Sequence, residues 1–177
     1  MSNDYLPHFM DEAFILAEEA YEKLEVPVGC VFVYKNEIVG RGFNDVNRTK
    51  NPTRHAEMVA YDEVREWCKN KNMKIEDIAT SLELYVTLEP CIMCASAMTQ
   101  LGIQKIIFAA SNERFGGIHS VSNASNYGPT RNSCLIFSNI DEERAISLLR
   151  KFYDRENVKA PEEKRKIKKD NSTVSEN

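Results

Sequence analysis

The chain has 177 residues, 42% of them hydrophobic, a size and composition that support one domain with a real core. Its longest apolar stretches, such as 28–34 and 106–110, are strand-sized and far short of the ~18 to 20 residues of a membrane span. Net charge is −4 but uneven: from Lys159 onward six Lys and Arg face four Asp and Glu, leaving −6 on the first 158 residues, which argues against a body that binds a polyanion by charge alone.

The opening Met1-Ser2-Asn3-Asp4 has no basic region followed by an apolar run, so no secretory signal is expected. Five cysteines without such a signal point to reduced thiols or metal ligands, and to the cytoplasm or nucleus, rather than to a disulfide framework.

Taken in chain order, Phe9, Met10, Ala13, Phe14, Ala17, Ala20, Tyr21 and Leu24 recur at three and four, which predicts a first amphipathic helix. Val26-Pro27-Val28-Gly29 breaks it. Strands over 30–34 and 37–43 flank Lys35-Asn36 and form a hairpin. A polar loop follows over 44–53. Ala56, Val59, Ala60, Val64 and Trp67 predict a helix over 55–70. A third strand over 82–88 is stopped by Glu89-Pro90, a short helix spans 91–101, and a fourth strand spans 104–110. The stretch 111–132 is loop-like and holds three of the seven glycines. A fifth strand is expected over 133–137 and a last helix over 141–153, with Asp141 and Glu142 suited to its positive N-terminal end. The predicted organisation is a domain over 1–158 and a basic, disordered tail over 159–177. Strands alternating with helices after an initial hairpin imply an α/β fold, a three-layer α/β/α sandwich around a mixed sheet.

Two motifs carry chemistry: His55-Ala56-Glu57 and Pro90-Cys91-Ile92-Met93-Cys94. Each stands at the N-terminal end of a predicted helix that follows an extended segment. Two cysteines three apart at a helix start can turn both sulfurs toward one point. A histidine from a neighbouring helix start completes a three-ligand cup of the N and S donors zinc prefers, with the fourth tetrahedral position left for water. The other His and Cys residues, His8, His119, Cys30, Cys68 and Cys134, lack chelate spacing to the pair. Cys30 and Cys68 read as small core residues and His119 as a surface loop residue.

Zinc lowers the pKa of a bound water to about 7, and Glu57, two residues from His55, can take that proton and pass it to a leaving group. One acid/base beside an activated water is the apparatus for hydrolysing an amine from a heteroaromatic ring. The bland alternative is a buried thiol cluster beside a capped helix. A Cys-x-x-Cys pair alone would also serve redox or structural zinc chemistry. The combination of both motifs, 36 residues apart from His55 to Cys91, favours the deaminase signature H-x-E with P-C-x-x-C.

On these motifs the chain resembles the zinc-dependent cytidine and nucleic-acid deaminases, and within them the tRNA adenosine deaminases. The matching segments are Glu25-Val-Pro-Val-Gly29, Gly42-Phe-Asn44, Thr53-Arg-His-Ala-Glu57 and Leu84-Tyr-Val-Thr-Leu-Glu-Pro-Cys-Ile-Met-Cys94. Asn112-Glu-Arg-Phe-Gly-Gly117 and the basic tail resemble the eukaryotic catalytic subunit rather than the bacterial homodimer.

The resemblance implies a cytidine-deaminase-like sheet of five strands with the two zinc-binding helices beneath it. It implies Zn2+ on His55, Cys91 and Cys94, with Glu57 as proton shuttle. Asn44 would hydrogen-bond the target nucleoside, Val28 and Ala56 would line its pocket, and Arg114 and Phe115 would lie near the anticodon arm. The reaction implied is hydrolysis of adenosine to inosine at position 34 of tRNA. The chain would act as the active half of a heterodimer with a related, catalytically silent subunit.

An acidic body fits a partner that supplies much of the phosphate binding. Lys164, Arg165, Lys166, Lys168 and Lys169 could add RNA contacts, or serve as a solubilising tail or import signal. Tyr153 could stack on a loop base or pack, whereas Phe152 is expected in the core. The rival readings are a deaminase of a free base or nucleotide, and a silent zinc-stabilised RNA-binding subunit. Glu57 argues against the second.

Overall fold

The computed structural model describes residues 5–123, Tyr127 and 134–155. The predicted basic tail lies outside them. The chain opens on helix α1 (Pro7–Glu22), with proline at a first-turn position where its missing N–H has no intrahelical partner to lose. Phe9, Met10, Ala13, Phe14, Ala17 and Ala20 form its buried face. The helix stops short of Leu24, which takes φ 61° while the Lys23 and Leu24 N–H groups bond back to Glu19 and Tyr21. Strands β1 (Gly29–Tyr34) and β2 (Glu37–Phe43) then form the predicted hairpin. Lys35 and Asn36 both have positive φ, 49° and 62°, the two-residue turn whose twist matches the strands it joins.

The stretch read as a polar loop contains one helical turn, α2 (Val46–Thr49). Helix α3 (Ala56–Asn70), a short α4 (Ile75–Ile78) that the sequence did not signal, strand β3 (Leu82–Leu88) and helix α5 (Ile92–Leu101) follow. Strands β4 (Lys105–Ala110) and β5 (Leu135–Phe137) and helix α6 (Glu142–Asp154) complete the described fold.

The five strands lie in the order β2-β1-β3-β4-β5, antiparallel across β2, β1 and β3 and parallel across β3, β4 and β5. Side chains alternate across the sheet. Val31, Val33, Tyr85, Ile107 and Ala109 pack with Phe9, Phe14 and Ala145, so α1 and α6 cover one face. Cys30, Phe32, Leu84, Val86, Ile106 and Phe108 pack with Ala56, Ala60, Val64, Ala95 and Met98, so α3 and α5 cover the other. The result is the expected α/β/α sandwich, with both motif-bearing helices on the same face. Cys30 and Cys68 are core residues there. Among the described residues no helix is long and apolar enough to cross a membrane.

One close approach places the site. A Cβ at Gly42 of β2 would overlap the Ala56 carbonyl oxygen and the Ala60 nitrogen, so only glycine lets the first turn of α3 lie against the strand. Gly42→Ala is expected to push that turn outward, at a cost of about 1–3 kcal/mol for overpacking. Thermal denaturation with the melting temperature of the parent would show that the contact tolerates a methyl group.

Candidate active site

The polypeptide delivers its motif residues at the ends of strands. His55 is the N-cap of α3, with extended φ −71° and ψ 161°, and Cys91 is the N-cap of α5, with φ −65° and ψ 168°. Pro90 favours extended backbone at Glu89 before it, and β3 therefore leaves the sheet directly into Cys91. The positive ends of two helices converge on one point, a setting that favours thiolate and carboxylate. That point lies beyond the C-terminal ends of the parallel strands β3 and β4, the usual ligand side of such a sheet.

His55 Nδ1 is 3.4 Å from Cys91 Sγ and 3.6 Å from Cys94 Sγ. The donor atoms of all three lie within 4.8 Å of one another, and this is the one such His and Cys group among the described residues. A tetrahedral zinc with bonds of about 2.0 Å to nitrogen and 2.3 Å to sulfur separates N from S by about 3.5 Å, so the triad fits that ion. The two thiols titrate as a pair. The Cys94 thiol donates to the Cys91 sulfur, which lowers Cys91 to about 4 and raises Cys94. The His55 pKa is raised, first by its hydrogen bond with Cys91.

Three glutamates are buried in this part of the molecule, and their surroundings separate their roles. Glu57, on the first turn of α3, is 3% exposed, and burial raises its pKa. Its side chain meets the Cys94 sulfur. Glu89 is 1% exposed. It accepts hydrogen bonds from the N–H groups of Asn112 (2.9 Å), Ile118 (3.0 Å), His119 (2.7 Å) and Ser120 (3.1 Å), and from the Ser120 hydroxyl. Burial works to raise its pKa, but these donors outweigh it and the carboxyl lies below its ordinary value. Glu25, also 1% exposed, accepts from Asn44 and from the start of α2. Two of the three acids are thus engaged in holding loops, and Glu57 is the one set against the His and Cys cluster and shifted toward holding a proton.

A pocket of about 920 Å³ opens over this cluster. Val28, Asn44, His55, Ala56, Glu57 and Cys91 line it, and Cys94 sits buried behind His55. Arg114, Phe115 and Tyr153 line it too. Phe115 and Tyr153 are more than half exposed, and the Arg114 guanidinium sits 5.1 Å over the Phe115 ring. Every expected site residue within the described part of the chain therefore meets in one place. Tyr153 lines the wall, while Phe152 packs edge-on against Tyr21 of α1. His119 is exposed, as a surface loop residue should be, with its ring 6.1 Å from that of Phe108. Lys164, Arg165, Lys166, Lys168 and Lys169 lie outside the described residues.

Sequence reasoning missed Glu25 and Glu89 as braces. The available signal was a carboxylate one or two residues before proline at the edge of an apolar run, in Glu25-Val-Pro and in Leu-Glu89-Pro.

Comparison with known proteins agrees with this geometry. The cytidine and deoxycytidylate deaminase zinc-binding region matches residues 4–110. A tRNA-specific adenosine deaminase 2 of Xenopus tropicalis is 45% identical over 161 residues, 90% of this chain and 95% of that protein. A tRNA-specific adenosine deaminase subunit of Schizosaccharomyces pombe is 40% identical over 153 residues, 86% of this chain and 38% of that protein. A structure from studies of A-to-I editing by tRNA:A34 deaminases at the wobble position superposes with a TM-score of 0.67 at 28% identity, covering 81% of this chain and 99% of that one.

Proposed function

The chain belongs to the zinc-binding cytidine and deoxycytidylate deaminase family, within it to the tRNA-specific adenosine deaminases, and from that premise we infer that it converts adenosine to inosine at position 34 of tRNA anticodons. The observation that carries this reading is the buried carboxylate of Glu57 beside a zinc-compatible His and Cys triad at the floor of a pocket. That pocket is of the size that takes a nucleoside.

His55, Cys91 and Cys94 would hold the zinc ion, which when bound supplies Lewis-acid activation of a water molecule. The chain's own residues do the rest. Glu57 takes a proton from the attacking water and gives it to ring N1, while the water oxygen forms a bond to C6. The carboxylate then carries the second proton of that oxygen to the amino group. The C6–N bond breaks, ammonia leaves, and C6 keeps the oxygen as the carbonyl of inosine. A carboxyl whose pKa is raised by burial suits this shuttle, because it releases its proton late and to a basic acceptor. Asn44 holds the nucleoside against the wall formed by Val28 and Ala56. An anticodon loop presents its base already unstacked, which lowers the cost of bringing it in. Arg114, Phe115 and Tyr153 at the rim offer a cation and two ring faces to the neighbouring nucleotides.

The partner reading rests on charge and on a relative. The first 158 residues carry −6, a poor surface for a polyanion, and the Schizosaccharomyces pombe relative is described as a subunit. The chain works beside a catalytically silent relative that supplies phosphate contacts. Purified alone it should form little or no inosine, and together with the partner it should edit position 34, read by sequencing the tRNA. Full activity from the single chain would overturn the two-subunit reading. Deamination of only a free base or nucleotide, with none in tRNA, would overturn the tRNA reading.

A further inference from the structure

We propose that Glu25 is a positioning residue for the deamination, fixing the side chain of Asn44 in the one amide orientation that the pocket uses. The proposal rests on the reading of Asn44 as the nucleoside contact. Glu25 lies in the connection between α1 and β1, 1% exposed, and no step of the chemistry uses it. Its Oε2 accepts from Asn44 Nδ2 at 3.2 Å and from the Asn47 N–H at 3.0 Å, and its Oε1 accepts from the Arg48 N–H at 2.7 Å. Three donors on two oxygens leave Glu25 tied to Asn44 and to the start of α2 at once.

The chemistry of the pair sets the orientation. A carboxylate oxygen can only accept, so Asn44 must present its NH2 group to Glu25 and cannot present its carbonyl oxygen. One Nδ2 hydrogen is spent there. The other hydrogen and Oδ1 keep fixed places, and an incoming base meets the same donor and acceptor every time. The backbone reinforces this, since the Asn44 N–H donates to the Val28 carbonyl at 3.0 Å and strings Asn44 onto the segment that Glu25 begins. Val26, Val28 and Asn44 all line the pocket, so the brace stands directly behind the wall it holds. Replacement of Glu25 by Gln removes the constraint. A glutamine can donate as well as accept, and the Asn44 amide can then turn over and exchange donor for acceptor at the pocket.

The test is a double-mutant cycle in the complete enzyme with its partner, using tRNA as substrate and expressing rates per zinc-loaded molecule. Asn44→Ala should lower kcat/KM by about 10²-fold, and Glu25→Gln by about tenfold through kcat, with tRNA affinity near that of the parent. Adding Glu25→Gln to Asn44→Ala should cost less than about twofold more, because a residue that acts through Asn44 has nothing left to position. Asn44→Ala with unchanged kcat/KM would refute the reading of Asn44 itself. A tenfold loss from Glu25→Gln that persists in full on top of Asn44→Ala would refute the positioning role and leave Glu25 as a brace for α2. Parental kcat/KM in a folded Glu25→Gln enzyme would refute it as well. If Glu25→Gln fails to fold, Glu25→Asp, which keeps the acceptor but withdraws it by one methylene, carries the same cycle with the same criteria.

Discussion

Glu57→Gln is expected to lower turnover by a factor of ~10² to 10⁴ while zinc content and tRNA binding stay near those of the parent. That loss corresponds to about 3 to 5 kcal/mol of transition-state stabilisation. Glutamine matches glutamate in volume and still hydrogen-bonds, so the first turn of α3 and its contact with β2 should survive. What it cannot do is bind and release a proton. If the shuttle acts only in the chemical step, kcat and kcat/KM should fall together, and KM should move little. No other carboxylate among the described pocket residues is placed to take over. Glu89 is occupied by five donors, Glu113 is exposed, and Glu142 opens α6, which packs on the face of the sheet away from α3 and α5. Single-turnover kinetics with saturating tRNA, beside elemental analysis of the same sample, decides the point. Turnover within tenfold of the parent would mean that another group is the base.

The parts of this site that could be read from the sequence are those whose chemistry is local. His55 and Glu57 are two apart, Cys91 and Cys94 three apart, and each pair opens a helix. Spacing put the two sulfurs on one face, and the extended N-cap at His55 turns its ring toward the point that Glu57 faces from the first helical turn. The hairpin was legible for the same reason, because alternation over a two-residue turn is a short-range signal. What stayed hidden has partners that carry no sequence signature. Glu89 is bonded mainly to backbone N–H groups 23 to 31 residues away, and any residue but proline offers that donor. Glu25 is similar, with partners 19 to 23 residues away. Helix α2 was invisible because it buries no apolar stripe of its own and is held by that acid. Leu24 misled in the opposite direction. It continues the apolar rhythm of α1, yet its backbone has already turned into the left-handed region. That turn is what sends Glu25 under Asn44.

The double variant Cys91→Ala with Cys94→Ala separates metal from proton chemistry in the reverse sense. It should take zinc from about one per chain to near none and abolish deamination, whereas Glu57→Gln keeps the metal and loses only the chemistry. The two sulfurs are two of three donors, and His55 alone is a weak ligand for zinc. The fold should persist in outline. Cys91 and Cys94 sit at the edge of one core cluster, and the sheet is packed on both faces by helices whose apolar contacts do not involve either thiol. Far-UV circular dichroism should therefore resemble that of the parent, with a lower melting temperature, since an ion that binds only the folded state stabilises it by mass action. Elemental analysis after dialysis against a chelator is the deciding measurement. Full zinc retained in the double variant, or active parent enzyme free of zinc, would remove the assignment of these ligands.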